Sequence, residues 1–153
     1  MTMLNDTQTT IDRPSLTITF RRTFAAPRED VFDAWTKPEQ IRCWWDPTGV
    51  PLAECAIDLR PGGAFHFNNK ESAHGPPFSG VYQVVERPSL LVFEALGAVG
   101  TVKLETQRSM THMMVTIRCG SPEHLETFLK IGVDVNTDRT FDQLVAYMKR
   151  TKA

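Results

Sequence analysis

Residues 54–68 read Glu54-Cys55-Ala56-Ile57-Asp58-Leu59-Arg60-Pro61-Gly62-Gly63-Ala64-Phe65-His66-Phe67-Asn68, and this stretch decides what kind of fold the chain adopts. Cys55, Ile57 and Leu59 alternate with Glu54, Asp58 and Arg60, the period of a half-buried strand. Arg60-Pro61-Gly62-Gly63 then puts proline and glycine where a type II turn takes them, so the chain reverses. Phe65 and Phe67 share one face against His66 and Asn68. Strands joined by so short a reversal pair antiparallel, because a parallel pair needs a crossover of roughly a dozen residues or more.

Towards the C-terminus the same grammar repeats. Asn69 to Pro77 reads as a polar loop, and strands are expected at Ser79 to Glu86, Leu90 to Leu96, Thr101 to Gln107 and Met110 to Cys119. Arg87-Pro88-Ser89, Gly97 to Gly100 and Arg108-Ser109 separate them. In the last strand Met113, Val115 and Ile117 face one way and His112, Met114, Thr116 and Arg118 the other. Ser121-Pro122 then starts a helix, with a hydroxyl at the N-cap and proline next. Leu125, Phe128 and Leu129 open its apolar stripe, and Phe141, Leu144, Val145 and Met148 continue it. Gly132 and the polar run Asp134 to Asp138 lie between, so one long helix with a weak middle or two helical pieces follow.

Towards the N-terminus, Leu16, Ile18, Phe20 and Phe24 share one face of a strand, interrupted by Arg22, which reads as a structural ion pair or a twist into solvent. After Ala26-Pro27 the period changes to that of a helix of about ten residues, with Val31, Ala34 and Trp35 inward and Glu29 and Asp30 at its positive end. It stops before Pro38, and Glu39 to Trp44 suggest a second short helix. Met1 to Arg13 is polar, reads as a flexible tail and lacks the pattern of a secretory signal. One domain, residues 14–150, follows.

The composition excludes several function classes. Seventeen Lys+Arg against 18 Asp+Glu leave a net charge of -1, which gives no field to attract nucleic acid or an anionic membrane. No stretch approaches the ~20 apolar residues of a membrane span. Cys43, Cys55 and Cys119 form no C-x-x-C pair and read as reduced thiols of a cytoplasmic protein.

Strand, two short helices, a run of antiparallel strands and a long terminal helix make an α+β chain. Its expected form is a helix-grip fold, a curved sheet of six to seven strands wrapped around the C-terminal helix with a cavity between them. The sequence resembles the START-like (SRPBCC, Bet v 1-like) superfamily, which includes lipid carriers, plant pathogenesis proteins and polyketide cyclases. Within it the chain is similar to the branch named after the C-terminal domain of the activator of Hsp90 ATPase. The residues that carry this resemblance are Arg22 with Phe24, Ala26-Pro27-Arg28-Glu29, Val31 to Trp35, Thr36 before Pro38-Glu39, and Trp44-Trp45 before Pro47. Asp58 to Gly63 with Phe65 and Phe67, Gly80-Val81-Tyr82 and Leu91-Val92-Phe93 complete it. Two departures fall at the expected cavity end: Gly132-Val133 stands where members carry Gly-Trp, and Asp46 follows the tryptophan pair where a small residue is usual.

Motifs for chemistry are scarce. Asp134-Val135-Asn136-Thr137-Asp138 imitates the start of a calcium loop, but Arg139 and Val145 stand where glycine and a bidentate glutamate are needed. His66, His74, His112 and His124 lack metal-ligand spacing, and no nucleophile or phosphate-binding motif is present. No catalytic residue, metal or cofactor is therefore assigned. Asp58 and Arg60 read as a turn brace. What remains is a lining: Phe65, Phe67, Phe93 and Met113 on the concave face, Phe128 on the helix opposite, and Trp45, Phe78 and Tyr82 near the mouth. Tyr82 is the candidate polar handle, and Glu94 would reach the cavity only if the strand register slipped by one residue.

The favoured expectation is a module that binds a small hydrophobic or aromatic molecule in its cavity. A cyclase- or dehydratase-type enzyme using the same cavity is the first alternative, and an Hsp90-type chaperone-interacting domain, as the resemblance implies, is the second. A homodimer is compatible with all three.

Overall fold

The turn at residues 60–63 forms as its residues dictate. In the computed structural model, which describes residues 7–68 and 78–152, Gly62 takes φ +84° and Gly63 donates its N–H to the Arg60 carbonyl at 2.8 Å. Arg60 braces the turn with its guanidinium on the Asp58 carboxylate, Nε to both oxygens at 3.0 Å. The flanking strands are β3 (Glu54–Ile57) and β4 (Ala64–Asn68), numbered here in chain order. β3 ends two residues short of Leu59, which is exposed in the turn and does not share the apolar face with Cys55 and Ile57. The expected loop at Asn69 to Pro77, with His74, lies outside the described residues.

The other elements are β1 (Gln8–Asp12), β2 (Thr17–Phe24), α1 (Arg28–Thr36), α2 (Pro38–Ile41), β5 (Phe78–Glu86), β6 (Leu90–Ala95), β7 (Ala98–Gln107), β8 (Met110–Arg118), α3 (Pro122–Lys130) and α4 (Val133–Lys152). The strands form one antiparallel sheet in the order β1-β2-β8-β7-β6-β5-β4-β3. The architecture is the expected α+β helix grip, with eight strands in place of six to seven. The added strand is β1, cut from the stretch read as a flexible tail. Every residue of β1 is exposed, so Gln8-Thr9-Thr10-Ile11-Asp12 carries no apolar alternation, and only backbone pairing to β2 makes it a strand. A second difference lies at Gly97 to Gly100. Leu96 and Gly97 both take positive φ, 55° and 79°, and close a two-residue hairpin of the primed type, so β7 starts at Ala98 and includes Gly100.

Burial follows the predicted faces. Ile18 and Phe20 of β2, Met113 and Val115 of β8, Leu125 of α3, and Phe141 and Leu144 of α4 are all nearly inaccessible. Arg22, on the same face of β2, is 6% exposed and resolves into the expected ion pair. Its guanidinium donates to Asp142 Oδ1 and to Thr7 Oγ1, each at 3.0 Å, which fastens α4 to β2 and to the residue preceding β1. The terminal helix is two pieces. Gly132 takes φ +86°, a conformation that costs an L side chain strain, and there α3 stops and α4 begins.

Helix α1 seats on the sheet through Val31, Phe32, Ala34 and Trp35, all buried. Its exposed side is tied to the β5–β6 connection by Arg87, whose guanidinium meets the Asp33 carboxylate in a fork at 3.0 and 3.1 Å. The hydrogen bonds from Arg87 hold the Asp33 carboxyl below its usual range, opposed in part by burial. A carboxyl depressed in the folded state stabilises the fold above its ordinary value of 3.8 and loses that contribution as pH falls through the depressed value. Asp33→Asn is therefore expected to lower the urea midpoint at neutral pH and to approach the wild type in acid, once the pH has fallen through that depressed value and the Asp33 carboxyl is uncharged. A gap of equal size at neutral and at acid pH would contradict the pairing.

Candidate functional site

The helix does not fill the sheet. The C-terminal part of α4 packs tightly: Phe141 meets Phe20 edge-on at 5.6 Å between ring centroids, and Leu144 and Met148 are buried. One and two turns earlier the same helical face carries Thr140, Thr137 and Asn136, and these polar side chains do not drive into an apolar core. The space beneath them is a cavity of about 690 Å³. That volume lies within the roughly 300–1,000 Å³ of small-molecule sites.

Two walls of different chemistry face each other. The sheet side is aromatic and aliphatic: Phe67, Phe78 and Phe93, then Ala95, Ala98, Val115 and Ile117, with Trp35 of α1 and Trp45 of the α2–β3 connection at one end. Trp45 sits 5.1 Å from Phe67 and 5.2 Å from Phe78, centroid to centroid. The helical side holds Phe128, Val133, Asn136, Thr137 and Thr140, and the polar contribution continues at Asn68 and Asp46. Thr140 Oγ1 donates to the Trp45 carbonyl at 3.1 Å, tying this wall to the aromatic end. The rim is apolar, formed by Leu96 and Ile131, which are 61% and 63% exposed.

Depth at the sheet wall depends on glycine. Phe93 pairs with Gly100 across β6 and β7, and its ring lies over that residue so closely that an added Cβ would sit 2.5 Å from Cζ. Phe65 lies in the same way over Gly80, its partner on β5. Both rings therefore lie down on the sheet; the space above Phe93 is left open to the cavity, whereas Phe65 is covered by Phe67, Phe78 and Phe93.

Of the eight residues expected to line the cavity, Trp45, Phe67, Phe78, Phe93 and Phe128 are brought together around it. The other three are elsewhere. Met113 is inaccessible under α1, where its Sδ accepts the Trp35 indole N–H at 3.4 Å. Phe65 and Tyr82, each 3% exposed, lie behind the layer formed by Trp45, Phe67, Phe78 and Phe93 and line a separate small void. Tyr82 is therefore not at the mouth and is not the polar handle; burial pushes its phenol pKa up, with Cys55 adding to the shift. Glu94 is exposed, as alternation requires.

The polar wall is what the sequence reading missed. Asn136, Thr137 and Thr140 fall on the stripe face of α4, and polar residues there were the available signal that this face covers open space. Asp134 to Asp138 occupy the first turns of α4. Asp46 is 5% exposed, and its Oδ1 accepts the Thr48 backbone N–H at 2.9 Å and the Thr48 hydroxyl at 2.6 Å. Val133 and Asp46, the two departures from the family pattern, both line the cavity.

Cys55 and Cys119 are poor nucleophiles. Burial pushes Cys55 up to about 11 and raises Cys119 as well, so both are protonated at neutral pH. His66 lies on the exposed face beside Ser79, Nδ1 to Oγ 2.6 Å. His124 Nδ1 accepts the Gly120 N–H at 3.0 Å, and its ring packs on Phe128. Among the described residues Asp46 is the one ionisable group lining the cavity, and no group of three or more metal-ligating side chains is present. No helix among them is long and apolar enough to cross a membrane.

Solved structures share this architecture. A protein of Rhodobacter sphaeroides superposes with a TM-score of 0.82 at 20% identity, covering 95% of this chain and 99% of that one. A protein of Nitrosomonas europaea gives 0.81 at 23%, covering 90% and 97%, and one of Mycobacterium smegmatis gives 0.78 at 20%, covering 94% and 98%. At these identities the likeness shows the fold alone. No curated protein matches the sequence. Residues 25–149, however, match the family described as "Activator of Hsp90 ATPase homolog 1-like protein", which is more than half of the chain, and the chain belongs to that family.

Proposed function

We propose that this protein binds a small amphipathic molecule whose apolar or aromatic body lies in the cavity between the sheet and α4. The observation that carries this reading is a 690 Å³ space with an aromatic wall on one side and Asn136, Thr137 and Thr140 on the other. Trp45, Phe67, Phe78, Phe93 and Phe128 would hold the body by burial, at about 25 cal/mol per Å² of apolar surface removed from water. The amide and hydroxyls of α4 would hydrogen-bond a polar group at its opposite end.

Isothermal titration with 1-naphthol tests the reading. One saturable site per chain is expected, with a Kd of about 10 µM, equivalent to about 7 kcal/mol. Absence of saturable binding contradicts it. An enzyme reading draws on one observation, the Asp46 carboxylate at the cavity wall. It ranks second because Asp46 already accepts two hydrogen bonds from Thr48 and stands without a second acid or base among the described lining residues.

A further inference from the structure

The small void behind the aromatic wall is about 10 Å³, close to the least space that can hold a water molecule. Of its lining residues, Trp35, Trp45, Phe67, Phe78 and Phe93 also line the large cavity, whereas Ile41, Phe65, Tyr82 and Leu91 do not. The five shared side chains are thus a partition one ring thick, with free space on both sides. A ring in that position lacks part of the dispersion contact that fixes a core side chain.

The five are not equally fixed. Trp35 and Phe67 are 4% and 3% exposed, and the Trp35 indole is anchored on Met113. Phe93 is seated over Gly100. Trp44, the chain neighbour of Trp45, donates its indole N–H to the Ala34 carbonyl at 3.0 Å. The Trp45 indole N–H makes no hydrogen bond among the described residues, while its backbone carbonyl is held by Thr140. Trp45 therefore has a fixed backbone and a half-buried ring held by aromatic contacts alone, edge-on or tilted against Trp35, Trp44 and Phe67 and against Phe78, which is also half-buried.

We propose that Trp45 and Phe78 form a gate between the cavity and a second, apolar subsite, which admits the narrow hydrocarbon end of an elongated ligand when the Trp45 ring swings aside. This rests on the ligand-binding reading above. The subsite ends at Ile41, Leu91, Phe65 and the Tyr82 ring, so it takes methylene or methyl groups. The ligand class is then an alkyl-bearing molecule with its polar group towards α4 and its chain passing between Trp45 and Phe78. Each methylene that enters raises affinity about four-fold.

Methyl NMR separates the two compartments. Leu52, Val115 and Ile117 line only the cavity, and Ile41 and Leu91 only the void. With 1-naphthol, shifts are expected at Leu52, Val115 and Ile117 alone. With 4-hexylphenol they are expected at all five residues, with affinity above that of 4-propylphenol by the methylene increment. Trp45→Leu should let 1-naphthol shift Ile41 and Leu91 too. If 4-hexylphenol moves the cavity methyls and leaves Ile41 and Leu91 unchanged, the subsite is refuted while ligand binding stands. If Trp45→Leu behaves as the wild type, Trp45 is not the gate. If neither phenol shifts any of the five, the ligand-binding reading falls as well.

Discussion

Gly80→Ala is expected to be the most damaging single-methyl change in the sheet, lowering stability by ~3 kcal/mol and the melting temperature by about 10 °C. The added Cβ would stand 2.3 Å from the Glu94 carbonyl oxygen and 2.6 Å from Phe65 Cζ. Retreat from the first contact breaks the β5–β6 ladder, and retreat from the second lifts Phe65 off the sheet into the aromatic layer above it. Gly62 is the control, because nothing lies within 4 Å of its added Cβ. Gly62→Ala bears only the left-handed backbone penalty, ~1 kcal/mol. Thermal unfolding of the two variants side by side checks the account. Equal melting temperatures would mean that close approach at Gly80 does not constrain the sheet.

The second large effect concerns the cavity. Val133→Trp with Thr137→Trp places two indoles on one face of α4, four residues apart, in space that is now open. If they displace about 110 Å² of ligand contact, binding weakens by ~2.8 kcal/mol, about 100-fold. The fold should not suffer, since filling a cavity commonly adds about 0.5–2 kcal/mol of stability. Titration with 1-naphthol and a urea denaturation curve read the two halves separately. Weak binding with an unchanged or higher urea midpoint is the predicted pair of results. Unchanged affinity in a well-folded double variant would place the ligand outside this cavity.

The fold was legible because its main features are local. The turn of Arg60 to Gly63, the alternation in β8 and the Ser121-Pro122 helix start each carry their instruction in a few residues. β1 was not legible, because a strand held by backbone pairing alone leaves no hydrophobic period in its sequence. Along β7, Gly100 looked like the end of a loop because its role is to lie under the Phe93 ring of the neighbouring strand, a contact between strands that no local pattern encodes. The candidate site shows the same limit. Alternation put Phe65, Phe67, Phe93 and Met113 on the correct face, but which of them meet open space depends on how far the sheet curls and what covers each ring. Met113 is covered by Trp35, and Phe65 and Tyr82 by the ring layer, neither of which follows from period two. The polar wall was hidden for the opposite reason. Asn136 and Thr137 looked like part of a weak stretch of helix, and Thr140 carried no reading of its own, until their face was seen to span a space.

The central claim is that the space between the sheet and α4 is a ligand site and not a packing defect, and the most direct measurement is a crystal structure of the protein with 1-naphthol. The account predicts the naphthalene rings against Trp45, Phe67, Phe78 and Phe93, and the hydroxyl within hydrogen-bonding distance of Asn136, Thr137 or Thr140. A cavity filled by ordered water, or closed by α4 settling onto the sheet with the naphthol bound elsewhere or not at all, would contradict it.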